Sequence, residues 1–125
     1  MKIVFDTFAW IEFFEGTKKG EIVRSYIKEN KILTPSIVLL ELSCKADKEG
    51  WDFQKHLSFI KINSEIIGIN EKFALTFGRL YNKIKKQVKE ISLADVIILH
   101  SAEINDAKLL SGDKHFKNIE RAILL

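Results

Sequence analysis

The sequence holds one cysteine, Cys44, in 125 residues. A lone thiol excludes an internal disulfide and any cysteine-based zinc cage, and on a helix face it is expected to serve as a small apolar residue. Long hydrophobic runs are also missing. Ile37, Val38, Leu39 and Leu40 form one of the longest apolar stretches, far short of the roughly 20 residues of a membrane span. The opening residues Met1 to Phe5 meet Asp6 before any signal-like stretch forms, so a cytoplasmic location and no membrane partner are expected. Arginine is scarce: 17 of the 20 basic residues are Lys, leaving Arg24, Arg79 and Arg121. Lysine acts on phosphate as a point charge and reads bases poorly, so any nucleic acid would be gripped by its backbone. The formal charge of +3 is too small to hold a polyanion unless the lysines cluster. Repeats, low-complexity tracts and flexible linkers are absent, and the length fits a single domain over residues 1–125.

What is present suits a folded core. Apolar residues make up 46% and charged residues 30%, enough to bury a core and remain soluble. Lys2 to Phe5 reads as a short buried strand ending at Asp6 and Thr7. An apolar helix with Phe8, Ala9, Trp10, Ile11, Phe13 and Phe14 follows, with Gly16 as its stop. Lys18 to Glu29 is amphipathic, with Ile22, Val23, Tyr26 and Ile27 on one face. Ile32 to Thr34 is a second strand, after which Pro35 and Ser36 start a helix that carries Glu41 toward Gly50. Trp51 to Lys61 is predicted helical and Ile66 to Ile69 a strand. Asn70 caps the longest helix, whose apolar positions Phe73, Phe77, Leu80, Tyr81, Ile84 and Val88 follow a 3.6-residue period. Ser92 caps the helix that contains Asp95. Ala107 to Leu110 is a fourth strand, followed by Ser111, Gly112 and Asp113, and Ala122 to Leu124 can add an edge strand. Alternating strands and helices predict a three-layer α/β/α sandwich with a mainly parallel sheet of four or five strands.

In such folds ligands gather beyond the carboxyl ends of the strands. Asp6 directly follows the first strand, and Asp113 lies a tight turn after a later one. Asp95 falls in the first turn of its helix, and Glu41 one to two turns into its own. All four can therefore converge at one sheet edge. Each also has a plain structural reading. Asp6 can cap the next helix, Asp95 can form a capping box with Ser92, and Asp113 can be a turn residue. Glu41 is harder to dismiss, since a carboxylate amid Ile37 to Leu42 needs a partner. Two like charges 4 Å apart cost about 1 kcal/mol in water and roughly 4 kcal/mol at an effective dielectric of 20. Protons or a cation must offset that, and hard oxygen donors, read as having no histidine or cysteine nearby in sequence, favour Mg²⁺ or Mn²⁺, which act on phosphate esters. On this reading Asp6, Asp95 and Asp113 hold the metal, Glu41 orients or deprotonates water, and Thr7 and Ser111 steady the carboxylates.

The histidines offer a metal-free alternative for phosphodiester chemistry. His100 is expected to point away from the acidic face of its helix, His56 to lie on an exposed charged helix, and His115 to be a surface loop residue. Among the lysines, Lys83, Lys85, Lys86 and Lys89 lie on the polar side of the long helix, where a solvated face is the simpler reading. Lys18, Lys19, Arg24 and Lys114 are further phosphate candidates, Lys114 being nearest the acidic residues in sequence. Phosphate contact is assigned to Lys114, Lys83 and Lys86. Trp10, Phe13 and Phe14 are assigned to the core or to a protein partner.

Four segments, in order, resemble the PIN-domain nucleases, especially the VapC-type toxins of toxin–antitoxin pairs. They are Val4 to Thr7, Ser36 to Leu42, Ser92 to Ile98 and Leu109 to Phe116, and the resemblance covers nearly the whole chain. It implies a Mg²⁺- or Mn²⁺-dependent endoribonuclease acting on RNA, a homodimer, and a small antitoxin that inserts into the site. Two residues depart from the family pattern: Ser111 stands where Thr is commoner, and His115 where many relatives carry another acid. Three other readings remain: an RNA-processing nuclease outside any toxin pair, a degenerate protein-binding α/β module, and an aspartate-nucleophile phosphatase. The phosphatase needs an acid two residues after Asp6, where Phe8 stands.

Overall fold

The computed structural model describes residues 1–125. Five short strands form one fully parallel sheet: β1 (Lys2–Phe5), β2 (Lys31–Pro35), β3 (Glu65–Ile67), β4 (Lys108–Ser111) and β5 (Ala122–Leu124), in the order β3-β2-β1-β4-β5. Six helices complete the chain: α1 (Thr7–Glu15), α2 (Lys18–Glu29), α3 (Ser36–Glu49), α4 (Phe53–Asn63), α5 (Glu71–Gln87) and α6 (Leu93–Ile104). A 3₁₀ turn covers Lys114–Phe116. The chain moves outward from β1 through β2 to β3, then returns to the other side of β1 to lay down β4 and β5. With right-handed crossovers, that reversal carries α5 and α6 to the sheet face opposite α1–α4. The expected α/β/α sandwich is the observed fold. No helix is long and apolar enough to cross a membrane.

Burial on both faces explains the composition of the strands. Ile3, Val4, Phe5, Leu109 and Leu110 are fully buried and belong to one core of 21 residues. Trp10 of α1 is also buried, stacked on Phe14 at 5.6 Å and edge-on to Phe5 at 5.1 Å. Its indole N–H donates to Thr34 Oγ1 at 3.2 Å, the partner a buried indole requires. Trp10 is therefore core, and Phe13 and Phe14 pack partly buried against it.

Local chemistry places the helix ends. Asp6, Thr17, Asp52, Asn70 and Ser92 each accept a backbone N–H in the first turn of the following helix. Gly16 ends α1 in the left-handed region at φ 69°, where a side chain would be strained. Three expectations differ from the structure. β3 is Glu65–Ile67 rather than 66–69, because its partner β2 ends at Pro35, opposite Ile67, leaving nothing to pair with Gly68 and Ile69. α4 starts at Phe53 because Asp52 caps it. Cys44 is exposed, since α3 buries the 38/42/46 stripe of Val38, Leu42 and Ala46, and position 44 faces outward.

Candidate active site

The reversal in strand order falls between β1 and β4, and both strands deliver an aspartate there. Asp6 follows β1, its backbone N–H bonded to Leu110 of β4 at 3.2 Å. Asp113 follows β4 after Ser111 and Gly112. Asp95 sits in the first turn of α6, whose opening is fixed by the Ser92 hydroxyl accepting the Asp95 N–H at 3.1 Å. Glu41 projects from the second turn of α3. These four carboxylates, with Thr7, Phe8 and Ile98, line one cleft of about 240 Å³. A larger depression of about 500 Å³ lies at the opposite ends of β1 and β4, where Glu103, Asp106 and Glu120 share the lining with Lys83, Lys108 and Arg121, so its carboxylates have cations among them.

Asp6 is the buried back wall. Its Oδ1 accepts the Ala9 N–H at 2.8 Å, and its Oδ2 accepts the Ser111 hydroxyl. Capping α1 and facing the cleft are thus roles of the same carboxyl group. Burial pushes its pKa from 3.8 to about 7; the Ser111 and Ala9 hydrogen bonds oppose the rise, and the charges of Asp113 and Asp95 add to it. Burial also raises the Asp95 pKa, against the Ser92 hydrogen bonds, with Asp113 adding to the rise and His115 opposing it. Thr7 donates its hydroxyl to Glu41 Oε1, supplying the partner Glu41 needs on its apolar helix. Ser111 Oγ accepts the Asp113 N–H at 2.9 Å, and Asp113 Oδ1 accepts the His115 N–H at 2.8 Å.

Two of the three histidines, His115 and His56, depart from expectation. His115 is half-buried beside the carboxylates, with Nδ1 3.2 Å from Asp113 Oδ1 and 3.9 Å from Asp95 Oδ2. The 3₁₀ turn folds it back over Asp113, which a reading of the segment as an open surface loop does not anticipate. His56 is half-buried rather than exposed, stacked on Phe14 at 4.0 Å. His100 points away from the acidic cleft, buried against Phe73 and Phe77 and bonded to Thr76 Oγ1 at 2.9 Å.

Of the phosphate candidates, Lys114 lines a neighbouring cleft of about 430 Å³ with His115, Lys117, Asn118, Val88 and Glu90. Lys83 instead borders the depression that holds Met1 and Arg121. Lys86 is exposed near the end of α5, and Lys85 donates to the Ile91 carbonyl at 2.9 Å. Lys117 is missed in the sequence, where Phe8 is placed on the apolar helix and not assigned to the cleft. Lys117 follows Lys114 by three, the spacing that aligns side chains on a 3₁₀ turn. Phe8 lines the acidic cleft, and a Cβ at position 112 would collide with its ring, so Gly112 leaves the space that the ring fills. Lys19 Nζ lies 5.4 Å from the centre of that ring.

The donor set fits a divalent cation. One ligand atom each from Asp95, Asp113 and His115 lie within 4.8 Å of one another, and the Asp6 pKa, raised chiefly by burial, is raised further by the charges of Asp113 and Asp95. Both Asp6 oxygens are hydrogen-bonded, yet each keeps a lone pair for a metal or its water.

A parallel α/β sandwich with an acidic cleft at its switch point is the class that fold and site define. Residues 3–122 match the PIN domain family, and the chain belongs to that family of nucleases. No curated protein sequence matches it. Among solved structures it is similar to VapBC2 from Rickettsia felis bound to a promoter DNA fragment, at 24% identity and a TM-score of 0.77, covering 100% of this chain and 98% of that one. A toxin–antitoxin complex from Klebsiella pneumoniae matches at 19% identity and 0.74, covering 97% and 95%. VapBC-1 from nontypeable Haemophilus influenzae matches at 20% and 0.73, covering 100% and 97%. At these identities the likeness is one of fold.

Proposed function

We propose that this protein is a divalent-metal-dependent endoribonuclease and the toxin of a toxin–antitoxin pair. The observation that carries the reading is the meeting of Asp6, Glu41, Asp95 and Asp113 in one cleft. Asp6, Asp95 and Asp113 would hold Mg²⁺ or Mn²⁺, directly or through water. When bound, the ion supplies Lewis acidity, making water more acidic and offsetting charge on the scissile phosphate. Glu41, with Oε1 engaged by Thr7, takes the proton of the attacking water on its other oxygen. Ser111 keeps Asp6 aimed, and Lys114 and Lys117 grip the backbone beyond the cut. Lysine rather than arginine around the site supports recognition of RNA by its phosphates.

The fold shared with toxin–antitoxin complexes supports a protein partner, and a homodimer acting in the cytoplasm is part of the same proposal. The test is cleavage of single-stranded and structured RNA by the purified chain with Mn²⁺ or Mg²⁺ against EDTA. Metal-dependent internal cuts are expected. RNA left intact with both ions, by chain freed of any co-purifying protein, would overturn the reading.

A further inference from the structure

One imidazole, that of His115, borders the carboxylates of the acidic cleft from the neighbouring cleft, and its surroundings are unusual. His115 Nδ1 is sealed from solvent and has no hydrogen-bond partner. It is nevertheless 3.2 Å from Asp113 Oδ1 and 3.9 Å from Asp95 Oδ2, so it lies at contact distance from two carboxylates. Asp113 Oδ1 is already engaged by the His115 backbone N–H. That bond closes the turn and carries the imidazole back over the carboxylates. Protonated at Nδ1, the ring would bring an N–H to hydrogen-bond distance without hydrogen-bond geometry. Protonated at Nε2, it would aim a lone pair at two anions. A cation shared by all three groups removes the conflict, because each then turns electron density toward a positive centre.

The spacing agrees. Donor atoms around one ion at about 2.0–2.2 Å lie roughly 3 Å apart when adjacent and 4 Å apart when opposite. The three donor atoms lie within 4.8 Å of one another, and the two measured His115 separations fall near those values. The chemistry of the donors then bears on which ion is taken. Mg²⁺ prefers oxygen and keeps much of its water, whereas imidazole nitrogen favours first-row transition ions.

We infer that His115 binds the metal through Nδ1, together with Asp95 and Asp113, and makes the site select a first-row transition ion such as Mn²⁺ over Mg²⁺. This rests on the metal-dependent reading above, adding a ligand and an ion preference to it. Neither His56 nor His100 can take the role, since one stacks on Phe14 and the other is buried against α5.

The test uses the full-length chain with Mn²⁺ as probe. Pulsed electron paramagnetic resonance should detect ¹⁴N coupling from a coordinated imidazole in the wild type. His115→Asp and His115→Gln should bind Mn²⁺ without that coupling. Calorimetric competition should show the preference for Mn²⁺ over Mg²⁺ falling by at least about tenfold in His115→Asp, as expected when a metal site loses a tuned partner. Bound Mn²⁺ without nitrogen coupling in the wild type, coupling that survives in both variants, or an unchanged ion preference would each overturn the inference. The wild-type spectrum decides the first point even if a variant fails to fold. Metal-dependent RNA cleavage with no nitrogen coupling would sink this inference alone, while failure of the wild type to bind Mn²⁺ at all would take the metal-dependent reading with it.

Discussion

The Ser111 hydroxyl donates to Asp6 Oδ2, joining residues 105 positions apart and locking the end of β1 to the end of β4. Ser111 Oγ in turn accepts the Asp113 N–H, so one buried hydroxyl fixes both aspartates that flank the switch point. Removing it in Ser111→Ala leaves a buried carboxylate short of a donor, at a cost of about 1–3 kcal/mol. The Ser111 hydrogen bond also holds the Asp6 pKa down, so its loss raises that pKa further. The pH at which Mn²⁺ binding reaches half its maximum should move upward in Ser111→Ala and return in Ser111→Thr. An unmoved midpoint in the alanine variant would mean that Asp6 does not bear on metal binding.

Asp6 should make the metal-free protein less stable as pH rises. Its pKa is 3.8 in the ordinary state and about 7 in the fold. Between those values the folded chain binds more protons than the unfolded one, so stability falls with rising pH. The contribution is fully present below about pH 4 and lost as pH passes through about 7. Each pKa unit is about 1.4 kcal/mol, so the loss is on the order of a few kcal/mol. In EDTA, Asp6→Asn should melt above the wild type at pH 8 and close to it at pH 4. Parallel melting curves for the two proteins across that range would refute the assignment.

Metal should reverse that penalty. A ligand that binds only the folded chain stabilises it by about 2.7 kcal/mol at one hundred times its Kd, or on the order of 10 °C in Tm for a chain of this size. Saturating Mn²⁺ at pH 7.5 should produce such a shift in the wild type and little in Asp6→Asn. An equal shift in both would place the bound ion elsewhere.

Most of the fold was legible because its signals are local. Asn70 and Ser92 mark helix starts by bonding N–H groups three residues on, and the 73/77/80/84 spacing marks the buried face of α5. Asp6 and Asp113 were legible as site candidates because a parallel sheet delivers strand ends to one edge. What escaped depends on contacts distant in sequence. The end of β3 is set by where β2 stops, and the exposure of Cys44 by which stripe of α3 meets the core. His115 reaches the carboxylates only through the turn that Asp113 caps, and Phe8 lines the cleft only because Gly112 makes room. Residue type alone says nothing about either.

Asp95 separates structural from chemical duty most cleanly. The principal bond of its helix cap runs from the Asp95 backbone N–H to Ser92 Oγ, and the contacts of the Asp95 carboxyl with Ser92 are ones an asparagine oxygen can still accept. Asp95→Asn should therefore keep α6 intact. Because burial and the Asp113 charge raise the Asp95 pKa, ionising it costs the metal-free fold stability at neutral pH. Removing the charge should leave the Tm in EDTA equal to that of the wild type or higher. A partial loss of favourable charge at the helix N-terminus opposes this, though that effect is small at about 0.3–1 kcal/mol. Cleavage of RNA should fall by at least about a hundredfold, at the upper end of what disturbing a metal site costs. The two measurements together decide the role. A variant that melts well below the wild type yet cuts RNA at a similar rate would make Asp95 a structural residue. The chemistry would then have to rest on Asp6, Glu41 and Asp113.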